Sequence, residues 1–176
     1  MNDCYECVAV GLSFLDEAST VYRCEEIVKA SPEQIFDVFE NEIAWTQWAF
    51  PIQRVEWTSP KPFGVGTTRT VYMMGDMKVY EEFIAWERGK RMAFTFVASN
   101  KENPEKFLED YRVTDLGNGC CKVEWYMAME KRGGPSWRDM IARPIMTRVN
   151  RSMFKKFRKY TERYAAQKLT LPQPSE

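Results

Sequence analysis

The sequence predicts an α+β domain in which a curved antiparallel sheet of about seven strands wraps around one long C-terminal helix. Three observations lead there. Residues 136–168 form the only window long and periodic enough for a major helix. Residues 51–129 hold about six short segments that alternate apolar and polar positions, each bounded by turn signals. Ahead of them, one more alternating segment is followed by two short helical stretches, which places two short helices between the first and second strands of the sheet. Consecutive hairpins give a sheet with one apolar face, and the long helix is the available cover.

The opening strand covers residues 21–30, where Tyr22, Cys24, Glu26 and Val28 share one parity. Ser31-Pro32-Glu33-Gln34 then starts a helix, with Ser as N-cap, Pro at the first helical position and Gln closing a capping box. Ile35, Phe36, Val38 and Phe39 form its buried side. A second helical stretch, residues 41–48, carries Trp45 and Trp48 three apart on one face, where they either plug a core or line a cavity. Gly64 and Gly66 punctuate the strand that follows, but no G-K-S/T and no helix start comes after them, so they do not form a phosphate loop.

The long helix begins with Ser136 and Asp139 placed to cap it. Met146, Val149, Met153, Phe157, Tyr160 and Tyr164 fall on one side of its wheel, and Arg148, Arg151, Lys155, Lys156, Arg158, Lys159 and Arg163 on the other. Trp137, Met140, Ile141 and Ile145 form a second apolar stripe on nearly the opposite side, and the shift falls at Pro144. A proline removes a helical hydrogen bond and clashes with the preceding turn. The expected result is a leading segment over residues 136–143, kinked or rotated against the helix from 145 and hinged at Gly133-Gly134, where it could gate a cavity.

Formal charge is zero, yet residues 136–168 hold ten basic and two acidic side chains, a local excess of eight positive charges. A solvated polar face is the commoner reason for such a stripe, and a membrane surface is the other. Base-stacking aromatics are missing from the polar face, so nucleic acid is not expected as a partner. The chain has no histidine, which removes the commonest general base and the commonest zinc ligand. Five cysteines and no signal-peptide pattern point to a reducing, cytoplasmic setting. Cys4 and Cys7 have ligand spacing but lie in a stretch that reads as a frayed terminus, and Cys120 and Cys121 are adjacent rather than spaced. No metal and no cofactor are expected, and no run is long enough to span a bilayer.

Ionisable residues on apparently inward parities are the candidates for chemistry. Arg69 keeps company with Val71 and Met73, and Glu109 lies among Phe107, Tyr111 and Val113. Glu26 shares a face with Tyr22 and Val28, and one of Glu81 and Glu82 must also point inward. A carboxyl among aromatics has a raised pKa and can act as a general acid or base, and a buried Arg can pair with it or orient an anionic ligand group. The plainer alternative is an Arg–Glu pair that satisfies itself at the rim of the sheet.

The order of these features resembles the START-like, or Bet v 1-like, superfamily (SRPBCC), and within it the polyketide cyclase/dehydrase and lipid-transport group. The resemblance rests on Ala30-Ser31-Pro32-Glu33-Gln34-Ile35-Phe36-Asp37-Val38-Phe39, on Trp45 and Trp48, and on Gly64-Val65-Gly66-Thr67. It also rests on Glu81/Glu82 running to Gly89-Lys90-Arg91-Met92, and on the basic C-terminal helix. It spans residues 19–168 and leaves residues 1–18 as an N-terminal extension and 169–176 as a tail. It implies a helix-grip fold with a hydrophobic cavity between sheet and helix, and no catalytic motif of the group carries over residue by residue.

A small hydrophobic ligand is therefore the expected partner: a lipid, quinone or polyketide-like aromatic. The expected wall comprises Trp45 and Trp48 from the short helix, and Arg69, Val71, Met73, Phe94 and Phe96 from the middle strands. Glu109, Tyr111, Trp125 and Met127 follow from the last strands, with Met140, Ile141, Ile145 and Val149 from the long helix. Three readings stay open: a binding or transport protein, a cyclase- or dehydratase-type enzyme using Glu109, Arg69 and Tyr111, and a protein-interaction or membrane-surface module using the basic helix. A transient membrane contact is compatible with the first and third, and the oligomeric state is not legible.

Overall fold

Alternation makes strands here, and short turns make neighbours in sequence pair in space. In a computed structural model that describes residues 4–102, 104–134 and 136–170, the elements are β1 (Tyr5–Glu6), α1 (Phe14–Glu17), β2 (Thr20–Val28), α2 (Pro32–Glu40), α3 (Glu42–Trp48), β3 (Ile52–Trp57), β4 (Thr68–Met73), β5 (Met77–Glu87), β6 (Arg91–Ser99), β7 (Lys106–Gly117), β8 (Cys120–Glu130) and α4 (Trp137–Thr170). The main sheet runs β2-β8-β7-β6-β5-β4-β3, antiparallel throughout. The pairing of β2 with β8 sets the first long strand beside the one that leads into α4. The expected tail lies outside the described residues from 171 onward.

Local chemistry accounts for the main boundaries. Ser31 accepts from the Gln34 backbone N–H at 3.2 Å, and Gln34 Oε1 accepts from the Ser31 N–H at 2.9 Å, so α2 opens with the full capping box. Gly75 and Asp76 both take positive φ, 73° and 54°, as a tight hairpin between right-twisted strands requires.

Residues 4–18 differ from the frayed terminus read in the sequence. Pairing of β6 with β7 ends at Thr95 opposite Leu108, and β1 takes over the freed end of β6, with Tyr5 opposite Ser99 and Glu6 opposite Ala98. The Val8 N–H donates to Glu105 O at 2.9 Å. Phe14 of α1, 3% exposed, then packs on Leu108 and Ala128 on the outer face of the sheet. Those outward positions of β7 and β8 are buried because the extension covers them.

Helix α4 runs unbroken through Pro144, which corrects the expected interruption. The proline leaves the Met140 carbonyl without its usual donor in an exposed stretch, where water can serve instead. Because the helical phase continues, the stripe of Trp137, Met140, Ile141 and Ile145 faces solvent, 59–76% exposed. The buried arc is Asn150, Phe154, Phe157, Thr161 and Ala165, with Met146, Met153, Tyr160 and Tyr164 on its flank. Phe157 stacks on Phe39 of α2 at 5.3 Å and meets Trp48 of α3 edge-on at 5.0 Å. Arg158 Nε lies 2.9 Å from Glu26 of β2, and Lys168 Nζ lies 2.5 Å from Asp37 of α2.

The two faces of α4 predict opposite sensitivities. Phe157→Ala opens a cavity in the aromatic seam and should lower stability by about 3–5 kcal/mol. Ile141→Ala should change it by no more than about 0.5 kcal/mol. Urea unfolding followed by circular dichroism checks both, and a large loss at Ile141 would contradict the assigned phase of the helix.

Candidate functional site

Strand register builds the site. Arg69 on β4 stands directly opposite Glu81 on β5, so both side chains leave the same face of the sheet, while adjacent Glu82 is exposed. Arg69 Nε donates to Glu81 Oε2 at 2.5 Å, and the two side chains are 1% and 2% exposed. The guanidinium carbon lies 4.2 Å from the ring centre of Trp45 and 4.6 Å from that of Phe94, with Phe83 and Trp57 slightly further off. Aromatic faces replace part of the hydration that a buried cation loses.

Glu109 on β7 is opposite Phe94 on β6 and Met127 on β8. Tyr111, two residues on, stacks against Trp125 at 5.9 Å and donates from Oη to Glu109 Oε2 at 2.6 Å. Burial pushes the Glu109 carboxyl up to about 7; the Tyr111 hydroxyl, Arg69 and the Trp125 indole pull it down, and Glu81 pushes it further up. Glu109 is half-buried and lies on the wall of a cavity. Burial, reinforced by the Glu109 charge, holds the Tyr111 hydroxyl well above its usual range. Burial also raises Glu81, against the pull of Arg69.

These groups border a cavity of about 490 Å³ between the sheet and α4. Its floor is buried: Trp45, Trp48, Arg69, Glu81, Phe94 and Tyr111 are each no more than 2% exposed. Its mouth is apolar, since Phe50, Met146 and Val149 line it while 58%, 37% and 37% exposed. Met73, Met77, Met127, Met129, Met146 and Met153 all reach the wall. Much of the methionine excess in the composition therefore lies here, as a flexible, polarizable lining.

Of the residues read from the sequence, the structure brings Trp45, Trp48, Arg69, Met73, Phe94, Phe96, Glu109, Tyr111, Trp125, Met127 and Val149 to this one wall. Four lie elsewhere. Val71 is sealed in the core, 0% exposed, and Met140, Ile141 and Ile145 sit on the helix ahead of Met146, the first α4 residue on the wall. Glu26 faces Arg158 under α4 rather than the cavity. Sequence reasoning missed Asn150, 2% exposed on the wall, because a polar residue does not register in an apolar stripe. Its spacing to Phe154 and Phe157 was the available signal.

Chemically, a carboxyl that titrates near neutrality, bonded to a tyrosine and close to a guanidinium, can hold or pass a proton and orient a polar ligand group. Among the described residues, no cluster of three or more cysteine or carboxylate side chains is placed to hold a metal ion. No helix among them is long and apolar enough to cross a membrane.

The family model for polyketide cyclase/dehydrase and lipid transport matches residues 21–162. Uncharacterised proteins of Mycobacterium tuberculosis and Mycobacterium bovis are 40% identical over 163 residues, covering 92% of this chain and 97% of the relative. Among solved structures, Ara h 8.0201 aligns with a TM-score of 0.60 at 16% identity, over 81% of this chain and 97% of its own. TTHA0849 from Thermus thermophilus aligns with a TM-score of 0.62 at 14% identity, over 85% and 99%. These two likenesses show the helix-grip fold and carry nothing about ligand.

Glu109 gives the site a pH signature. It holds its proton more tightly folded, near 7, than unfolded, near 4.5, so stability is greatest below the lower value and falls as pH rises through the higher one. The full effect is roughly 3 kcal/mol. Thermal unfolding of Glu109→Gln should lack this fall, so its melting temperature relative to wild type should rise between pH 5 and 8. Parallel pH profiles for the two proteins would contradict the assignment.

Proposed function

The chain belongs to the polyketide cyclase/dehydrase and lipid-transport family, and from that premise we propose that it binds, and by its open mouth exchanges, a small hydrophobic or amphipathic molecule. A lipid, a quinone or a polyketide-like aromatic fits this description. The observation that carries the reading is the cavity, about 490 Å³ in volume and lined mainly by aromatic and thioether side chains. Protein interiors otherwise pack to the density of organic crystals, and open apolar space lowers stability in proportion to its volume. A core serving structure alone would close it. Instead, Arg69, Glu81, Glu109 and Tyr111 are held as a polar group at its depth, the usual plan of a small-molecule site.

A second reading concerns loading, and the solvent-facing stripe of α4 favours it. Trp137, Met140, Ile141 and Ile145 are exposed just ahead of the cavity mouth, and among the described residues Arg138, Arg143 and Arg148 alongside them enter no ion pair. An apolar stripe flanked by cations outside any ion pair matches the boundary layer of an anionic lipid surface. We place this segment as the contact through which an apolar ligand passes between membrane and cavity.

Uptake of pyrene, read by energy transfer from tryptophan, tests both readings in one assay. Wild type should take up pyrene from dilute solution, and Met127→Trp, which fills part of the cavity, should weaken uptake at least about tenfold. The Ile141→Asp/Ile145→Asp variant should keep uptake from solution. It should lose the faster, salt-sensitive pickup from vesicles of phosphatidylcholine with phosphatidylglycerol. Uptake unaffected by Met127→Trp would remove the cavity reading, and pickup that ignores anionic lipid and salt would remove the membrane one.

A further inference from the structure

Five buried side-chain nitrogens lack a hydrogen-bond partner among the described residues: Trp48 Nε1, Arg69 Nη1, Trp125 Nε1, Asn150 Nδ2 and Arg158 Nε. Arg158 Nε at least lies against the Glu26 carboxylate, 2.9 Å away. The other four belong to residues on the cavity wall, and those residues are no more than 2% exposed. They are of one kind: all four are N–H donors. One oxygen of each neighbouring carboxylate is engaged, Glu81 Oε2 by Arg69 at 2.5 Å and Glu109 Oε2 by the Tyr111 hydroxyl at 2.6 Å, and neither carboxylate is within hydrogen-bond geometry of the four donors. The Trp125 indole lies close enough to favour the Glu109 charge, but outside the geometry of a hydrogen bond. A buried donor without a partner is costly, and the surplus of donors has to be met by whatever occupies the space.

Charge narrows the class further. Among the described residues Arg69 is the only basic one on the wall, and its guanidinium is already bonded to Glu81. A ligand carboxylate would enter as a further negative charge near Glu81 and Glu109 with no second cation to meet it, and an unpaired buried charge is strongly unfavourable. A ligand ammonium would bring only donors to a site that already holds four unmet ones, and would answer none of them. A carbonyl oxygen accepts two hydrogen bonds and adds no charge.

We propose that the cavity selects a neutral, apolar molecule bearing a carbonyl oxygen, as in an aryl ketone or quinone, received by Arg69 Nη1 together with the amide or indole N–H groups of Asn150, Trp48 and Trp125. The inference rests on the cavity-binding reading above and says which ligand chemistry that cavity prefers. In the unliganded protein, water can satisfy these donors; a ligand that displaces the water gains affinity only if it replaces those bonds. The apolar body meets the methionine and aromatic wall, and the carbonyl supplies what that wall lacks.

Four probes with one bicyclic body test this by isothermal titration calorimetry on the full chain at pH 8: 2-acetylnaphthalene, 2-ethylnaphthalene, 2-naphthoate and 2-naphthylmethylamine. The ketone should bind at least about tenfold tighter than each of the other three. Removing Arg69 alone would strand buried Glu81, so the variants are Asn150→Leu and the paired Arg69→Met/Glu81→Met. At least one of them should shrink the preference for ketone over hydrocarbon several-fold while the hydrocarbon still binds. A hydrocarbon that binds as well as the ketone would overturn the inference and leave the cavity reading standing. Tightest binding by the naphthoate or the amine would overturn it too, as would a preference undiminished in both variants. If none of the four binds, the cavity reading falls, and the inference with it.

Discussion

Arg69 is a guanidinium 1% exposed inside an antiparallel sheet, and a charge held there needs a counter-charge and a substitute for water. Register supplies the first, because β4 and β5 set Glu81 directly across from it. Aromatic faces supply much of the second: Trp45 reaches in from α3, Phe94 from β6, and Phe83 and Trp57 lie slightly further off. The short helices, the middle strands and the curvature of the sheet therefore converge on one cation. One edge of it stays uncommitted, and that edge belongs to the cavity.

The cavity follows from the same geometry. The long helix is held closely by α2 and α3 along the Phe39, Trp48, Phe154 and Phe157 seam. It meets the sheet where Trp125 packs on Phe154, and leaves a cavity open to the sheet toward Met146 and Val149. Methionines line the widened end, where a flexible thioether tolerates changing contents better than a branched side chain does. Stability is concentrated at the closed end and adaptability at the open one, as a protein that must admit a ligand without unfolding requires.

Much of this is legible residue by residue. The capping box at Ser31, the alternation of the strands and the inward parity of Arg69 and Glu109 all follow from local rules. The Arg69–Glu81 pair does not, because it depends on a register between strands that only the hairpin at Gly75-Asp76 sets. The choice between Glu81 and Glu82 fails for the same reason. Met140, Ile141 and Ile145 read as inward-facing because apolar stripes are normally buried, whereas here the helix outruns the sheet. The packing of residues 4–18 is not legible, because it depends on a gap between β6 and β7, a tertiary feature with no periodicity of its own.

The central claim, that the interior is a ligand cavity with unmet donors, is tested most directly through the six tryptophan indoles. Their ¹⁵N–¹H resonances would be followed while 2-acetylnaphthalene is titrated in. Trp48 and Trp125, whose indole N–H groups have no hydrogen-bond partner among the described residues, should move saturably toward the hydrogen-bonded region, while Trp137, 64% exposed on the outer stripe of α4, stays in place. Movement of Trp137 alone, or of none of the six, would contradict the account.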